Sequence, residues 1–249
     1  EIMRPTLVPS LLQCVARNLN QQQEYVSLFE IASVYIPVAG GVPEERPTLG
    51  IALSGTREVL LPQGVIKDEA GLLHIKGMCQ SLAARLGVEG LSLAAGKDPD
   101  EAGIVVDGDV VGFARAVSKK SLDAFDIKNK TVCVAEINCA SLLGKAHRIR
   151  RFRQLPKFPS VSRDVCFVVK DSLSAGEVIA AVQSQAPDIL RNVRVSNYYK
   201  GKQIADGYKA LTVSCVYRAD DRTLTEMEVN PAHELMCDAV KKTLGATVR

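Results

Sequence analysis

The chain has 249 residues, 47% of them apolar and 24% charged, which is normal for a protein with one large buried core or two ordinary ones. No apolar run approaches the roughly 18 residues of a membrane span, and the start Glu1-Ile2-Met3-Arg4-Pro5 lacks signal-peptide architecture. The net charge of +3 hides a split: residues 1–144 hold 13 Lys and Arg against 17 Asp and Glu, a net of −4, whereas residues 145–249 hold 18 against 11, a net of +7.

The opening is not Met and apolar positions begin almost at once, so a piece of a longer chain is expected. Leu7, Leu11, Leu12 and Val15 have helical spacing after Pro9-Ser10, with Ser10 the expected N-cap. Leu28 to Tyr35 reads as a strand, residues 37–47 as a Gly- and Pro-rich loop, and Leu49 to Leu53 as a second strand. Ile75 to Leu86 reads as a helix stopped by Gly87 in a C′ position. Gly103 to Val106, Asp107-Gly108 and Val110 to Ala114 form a hairpin signal, because Asp-Gly supplies the positive φ angles of a type I′ turn. Val132 to Ile137 is a further strand. Lys145, Arg148, Arg150, Arg151, Arg153 and Lys157 then follow with no acid between them.

Beyond Pro156 and Pro159, Val165, Phe167 and Val169 alternate as in a half-buried strand. Ser174 and Glu177 form a capping box before Val178, Ile179 and Val182, and Pro187 ends that helix. Val193 to Tyr199 and Ala210 to Tyr217 are strands. A second helix carries Leu235, Met236, Ala239 and Val240 on one face. Thr225 and Glu228 offer a capping box for it, but Pro231 fits better just after an Asn230 N-cap. Ala246 to Arg249 completes the order β-α-β-β-α-β, the ferredoxin-like split βαβ. One face of such a sheet carries both helices and the other is left open.

Seven cysteines, an odd number without a C-x-x-C, suggest neither a disulfide framework nor a zinc site, and a reducing cytosol is the expected compartment. His74, His147 and His233 are far apart and read as structural. No Walker loop, metal cluster or nucleophile elbow is present. Function therefore rests on binding, and the basic excess of the second half points to a polyanion.

Several motifs are recognisable in order. Met3-Arg4-Pro5-Thr6-Leu7-Val8-Pro9, Asn18-Leu19-Asn20 and Leu28-Phe29-Glu30-Ile31 lie in the first half. Lys157-Phe158-Pro159, Arg163-Asp164, Tyr199-Lys200-Gly201, Lys209 and Asp221-Arg222-Thr223-Leu224-Thr225 with Glu228 lie in the second. Together they resemble the C-terminal part of the bacterial phenylalanyl-tRNA synthetase beta chain. The resemblance implies an α+β chain: a partial class II synthetase-like antiparallel sheet with helices over residues 1–148, then a ferredoxin-fold anticodon-binding domain over 149–249. It also implies an alpha subunit partner in an α2β2 assembly, phenylalanine tRNA as ligand, and ATP and Mg²⁺ as cofactors of the complete enzyme but not of this chain.

A class II synthetase needs arginines on the ATP phosphates, one of them from a G-x-G-x-G-x-E-R segment, because charge develops on phosphate as the adenylate forms. This chain has no such segment, and its Leu28–Tyr35 stretch has Glu30 but no Arg, so the first half is expected to be catalytically silent. In the family the equivalents of Cys166, Asn197 and Tyr199 border the first anticodon base. This chain departs at two of them, with Cys166 for the usual Ala and Asn197 for the usual Asp. Asn keeps an acceptor oxygen but no charge, so bidentate pairing to a guanine edge is lost. Tyr199 is the expected stacking platform. Arg163, Lys200, Lys202, Lys209 and Arg222 are the candidates for phosphate contact, and Ser162 replaces a further Arg that the family often has. Phe158 is expected to pack the linker against the core. Two other readings of the βαββαβ unit stand beside this one. A small-molecule sensor domain would bind at Gly-bearing loop turns. An acylphosphatase would need a G-x-x-G-x-x-R loop where Asp171-Ser172-Leu173-Ser174 stands.

Overall fold

The computed structural model describes residues 3–62, 64–96, 101–128, 130–147, 152 and 154–249. The chain divides into two compact units, Glu1–Arg151 and Phe152–Arg249, each with its own apolar core. Arg148, Arg150, Arg151 and Arg153 of the basic stretch lie outside the described residues. Among the described residues no helix is long and apolar enough to cross a membrane.

The first unit opens with α1 (Val8–Asn20), whose Leu11, Leu12 and Val15 are buried together with Leu7, as their spacing predicts. Its cap differs from expectation. Leu7 occupies the cap position and Ser10 lies inside the helix, its hydroxyl 2.8 Å from Leu7 O and 3.0 Å from Glu30 Oε2. The capping acceptor comes from the sheet. Glu136 Oε1 accepts from Leu7 N at 2.5 Å, from Val8 N at 3.1 Å and from the Thr6 hydroxyl at 2.6 Å. A carboxylate at that end satisfies orphan donors and complements the helix dipole, which a serine on the helix itself could do only in part. Glu30 is paired with Arg4 at 2.9 Å.

The sheet under α1 is built from β1 (Tyr25–Ile36), β2 (Glu44–Leu61), β4 (Ser92–Ala95), β5 (Glu101–Val106), β6 (Asp109–Ala116) and β7 (Val132–Asn138), while β3 (Gly64–Glu69) pairs with the far end of β2. Its order is β1-β2-β7-β6-β5-β4, with every pair antiparallel. Glu30, Gly50 and Glu136 stand in one row across β1, β2 and β7. A Cβ on Gly50 would come within 2.8 Å of Leu11 and 3.2 Å of Leu7, so the glycine lets α1 lie close to the sheet with an acid on either side. On the opposite face α2 (Leu72–Leu86) buries Ile75, Cys79 and Ala83 against Ile51, Leu53 and Ile104, and it ends at Gly87 in the left-handed region. Asp107 and Gly108 take φ of +51° and +83°, as a type I′ turn requires. Two short helices, α3 (Lys119–Ala124) and α4 (Cys139–Leu143), complete the unit.

The second unit runs β8 (Val161–Lys170), α5 (Ala175–Ser184), β9 (Leu190–Tyr199), β10 (Tyr208–Tyr217), α6 (Glu226–Leu244) and β11 (Thr247–Val248), with antiparallel sheet order β11-β8-β10-β9. This is the expected βαββαβ arrangement. Val165, Phe167 and Val169 of β8 join Leu211, Val213, Cys215 and Tyr217 of β10 beneath Val178, Val182, Met236 and Val240 of the helices. The Ser174–Glu177 capping box forms in both directions. The start of α6 is corrected. Thr225, not Asn230, is the cap: Glu228 accepts from the Thr225 backbone N–H and from its hydroxyl, each at 2.9 Å. Pro231 falls inside the helix. It leaves the Met227 carbonyl without its i+4 donor, and Met227 is 87% exposed, so water can supply the missing bond.

Candidate nucleic-acid interface

Strand register decides which side chains share the helix-free face of the second sheet, because residues opposite each other in a ladder point the same way. Cys166 of β8 opposes Thr212 of β10, and Thr212 opposes Asn197 of β9. In the next row Val168 opposes Ala210, and Ala210 opposes Tyr199. Leu211, which lies in the core between these two positions of β10, opposes Phe167 and Tyr198. The three base-contact candidates Cys166, Asn197 and Tyr199 are therefore brought together on the open face. Tyr198 is turned to the helix side, although 56% of its surface remains exposed.

Tyr199 is 43% exposed and its ring has a defined seat. A Cβ built on Gly201 would lie 2.6 Å from the Tyr199 hydroxyl oxygen and 2.8 Å from Cζ, so the ring lies directly against the Gly201 backbone. The Tyr-Lys-Gly order has a physical reason here: the aromatic needs a residue without a side chain two positions on.

The cation candidates divide. Arg163 shares the parity of Val165 and lies on the helix side, where it donates to Asn230 Oδ1 at 3.1 Å and pairs with Glu226 at 3.3 Å. Lys209 shares the parity of Leu211, and its Nζ donates to the Asp171 carbonyl at 2.7 Å. Arg222 pairs with Glu228 at 2.8 Å and with Asp221 at 3.0 Å, beside the cap of α6. The structure does not bring these three onto the open face. Lys200 follows Tyr199 at the rim and pairs with Asp171 at 2.6 Å, a contact that holds the Asp171 carboxyl below its usual range. Lys202 is exposed in the loop between β9 and β10. The cations whose positions do fall on the open side are Lys170, Arg194 and Arg249, none of them singled out by the sequence. Lys170 pairs across the ladder with Tyr208, Arg194 opposes Ser214, and Arg249 N donates to Cys166 O at 3.0 Å.

Acid–base chemistry is not prepared at this face. The thiols of Cys215 and Cys237 are pushed up to about 11 by burial on the helix side. His233 is half-buried there, held below its usual range by burial, with Nδ1 2.8 Å from the Tyr217 hydroxyl. Among the described residues no three His, Cys, Asp or Glu side chains are placed to hold a metal ion. In the first unit the carboxylate of Glu136 is taken up by the N-terminus of α1.

An antiparallel sheet face with a seated aromatic, amide and hydroxyl groups and flanking cations offers the groups with which single-stranded RNA can be stacked on and hydrogen-bonded. Comparison with known proteins gives the family. The profile of the phenylalanyl tRNA synthetase beta chain CLM domain matches residues 1–139, that of the ferredoxin-fold anticodon binding domain matches residues 156–249, and the chain belongs to the phenylalanyl-tRNA synthetase beta chain family. It is 31% identical over 256 residues to the phenylalanine–tRNA ligase beta subunit of Clostridium tetani, covering 100% of this chain and 31% of that protein. It is 34% identical over 255 residues to the phenylalanine–tRNA ligase beta subunit of Symbiobacterium thermophilum, covering 99% of this chain and 28% of that protein. The chain thus spans about a third of the length of the curated relatives it matches. A solved pyrrolysyl tRNA synthetase from Desulfitobacterium hafniense aligns with 58% of this chain and 51% of its own, at 16% identity and a TM-score of 0.44, too low to carry an argument.

Proposed function

We propose that this chain is a tRNA-binding and scaffold portion of a phenylalanine–tRNA ligase, with residues 149–249 holding the anticodon arm of phenylalanine tRNA on the open sheet face. The observation that carries the reading is the pair of rows in which Cys166, Thr212 and Asn197 stand beside Val168, Ala210 and Tyr199. Unstacked anticodon bases need an aromatic to lie on and edges to bond with, and these rows offer both. Residues 1–148 act as support and as the contact surface for an alpha subunit in an α2β2 assembly. The alpha subunit carries out the ATP- and Mg²⁺-dependent chemistry, and the assembly works in the cytoplasm.

Base–aromatic stacking is worth about 1–3 kcal/mol, so Tyr199→Ala should weaken tRNA binding by roughly 5- to 150-fold at fixed salt. The measurement is a tRNA titration of the chain assembled with the alpha subunit, with circular dichroism to check the fold. Unchanged affinity with an intact fold would make Tyr199 structural and place the binding face elsewhere.

A further inference from the structure

The two uncharged rows of the open face, which lie between Asp164 and Lys170 of β8, are flanked by an arginine on each edge strand, and simple alternation would not put both there. Counting back from Tyr199 and Asn197 by twos turns Arg194 toward the helices. The ladder is interrupted, however: Thr212 opposes Asn197 but Val213 opposes Val195, so Ser196 is an extra residue in β9. Beyond this bulge Val195 and Val193 oppose Val213 and Cys215 on the core side, and Arg194 opposes Ser214 on the open side. Bulges re-aim side chains in this way. Arg194 is exposed, and its side chain makes no hydrogen bond or ion pair among the described residues.

On the far edge Thr247 opposes Val168 and Val248 opposes Phe167, so Arg249, bonded through its N–H to Cys166 O, continues the alternation onto the open side. Its guanidinium makes one exposed hydrogen bond, to Gln203 Oε1 at 3.2 Å, and keeps other donors free. Arg194 and Arg249 are three strand spacings apart across the sheet, about 14 Å, and two residues apart along the strands. Asp164 lies on β8 in the row of Arg194 and Ser214, where it repels a phosphate from the middle of that row.

We propose that Arg194 and Arg249 are the two phosphate anchors of the bound RNA. They hold a single-stranded segment diagonally across the sheet with its bases down on the uncharged rows, and the bulge at Ser196 aims the first of them. The planar guanidinium fork suits this role better than a lysine, since it meets a phosphate with two parallel hydrogen bonds. The inference rests on the tRNA-binding reading above, and the test separates the two.

The experiment titrates phenylalanine tRNA against the chain assembled with the alpha subunit over a salt series. Arg194→Gln and Arg249→Gln are compared with Arg163→Gln and Lys209→Gln as helix-side controls and with Tyr199→Ala as reference. Each open-face variant should flatten the slope of log affinity against log salt by about 0.7 and weaken binding about 3- to 10-fold at low salt. Arg194→Lys should restore the slope, and the two controls should keep it. Unchanged slopes for both open-face variants, with Tyr199→Ala still weakening binding, would overturn the anchor assignment and leave the face in place. No effect of Tyr199→Ala, together with unchanged slopes for both open-face variants, would place the binding face elsewhere and overturn the anchors with it.

Discussion

Gly201 shapes the site through an atom it lacks. The Tyr199 ring occupies the space a Cβ would need, 2.6 Å from the hydroxyl oxygen, so Gly201→Ala must push the ring off its seat. The ring edge is the movable partner and the chain keeps its fold. Gly201→Ala is expected to lower tRNA affinity in the direction of Tyr199→Ala while leaving the melting temperature within a few degrees, checked by titration and thermal melts of the same preparation. Wild-type affinity would mean that the ring need not sit there. Much of this site is legible from alternation: Cys166 against Val165 and Phe167, or Tyr199 against Tyr198. The same parity, applied to Arg163 and Lys209, already sets them with Val165 and Leu211 on the buried side. Choosing them for their charge ignores it. Arg194 is different. Its side depends on the bulge at Ser196, which leaves no compositional mark in Val195-Ser196-Asn197.

The start of α6 shows two local rules in competition. Pro231 prefers the first turn, yet the Thr225–Glu228 box wins. Glu228 accepts two hydrogen bonds from Thr225 and one pair from Arg222, whereas an early proline only avoids the loss of one bond at an exposed carbonyl. These contacts, the Thr225 backbone N–H foremost and then Arg222, hold the Glu228 carboxyl down at about 2, against an ordinary value of 4.5. A folded-state value below the unfolded one stabilises fully above pH 4.5 and loses that contribution as the pH falls through about 2. Glu228→Ala is therefore expected to lower the melting temperature at pH 7, with the gap to the parent narrowing between pH 4.5 and 2. Circular dichroism melts at pH 7, 4 and 2.5 measure it, and a gap that does not change with pH would show that the carboxylate's charge is not what holds the cap. The cap of α1 carries the opposite lesson: its acceptor, Glu136, comes from a strand over a hundred residues away and cannot be read locally.

The division of charge into a net −4 half and a net +7 half is visible in the sequence and suits a chain with a binding half and a supporting half. Composition overstates the open face, since Arg163, Arg222 and Lys209 are engaged with helix-side or capping partners. Long periodic elements were legible. β3, β4, α3 and α4 were not, because stretches of four to six residues complete too few periods to be told from loops. The central claim, that the open face of the second unit covers itself with tRNA, can be read from one thiol. Cys166 is half-exposed on that face and Cys14 is exposed on α1, whereas burial raises the Cys79, Cys215 and Cys237 thiols to about 11 and keeps them slow to alkylate. Timed iodoacetamide labelling read by peptide mass spectrometry should show saturating phenylalanine tRNA slowing Cys166 severalfold while Cys14 reacts at its own rate. Cys166 labelling at the same rate with and without bound tRNA would contradict the account.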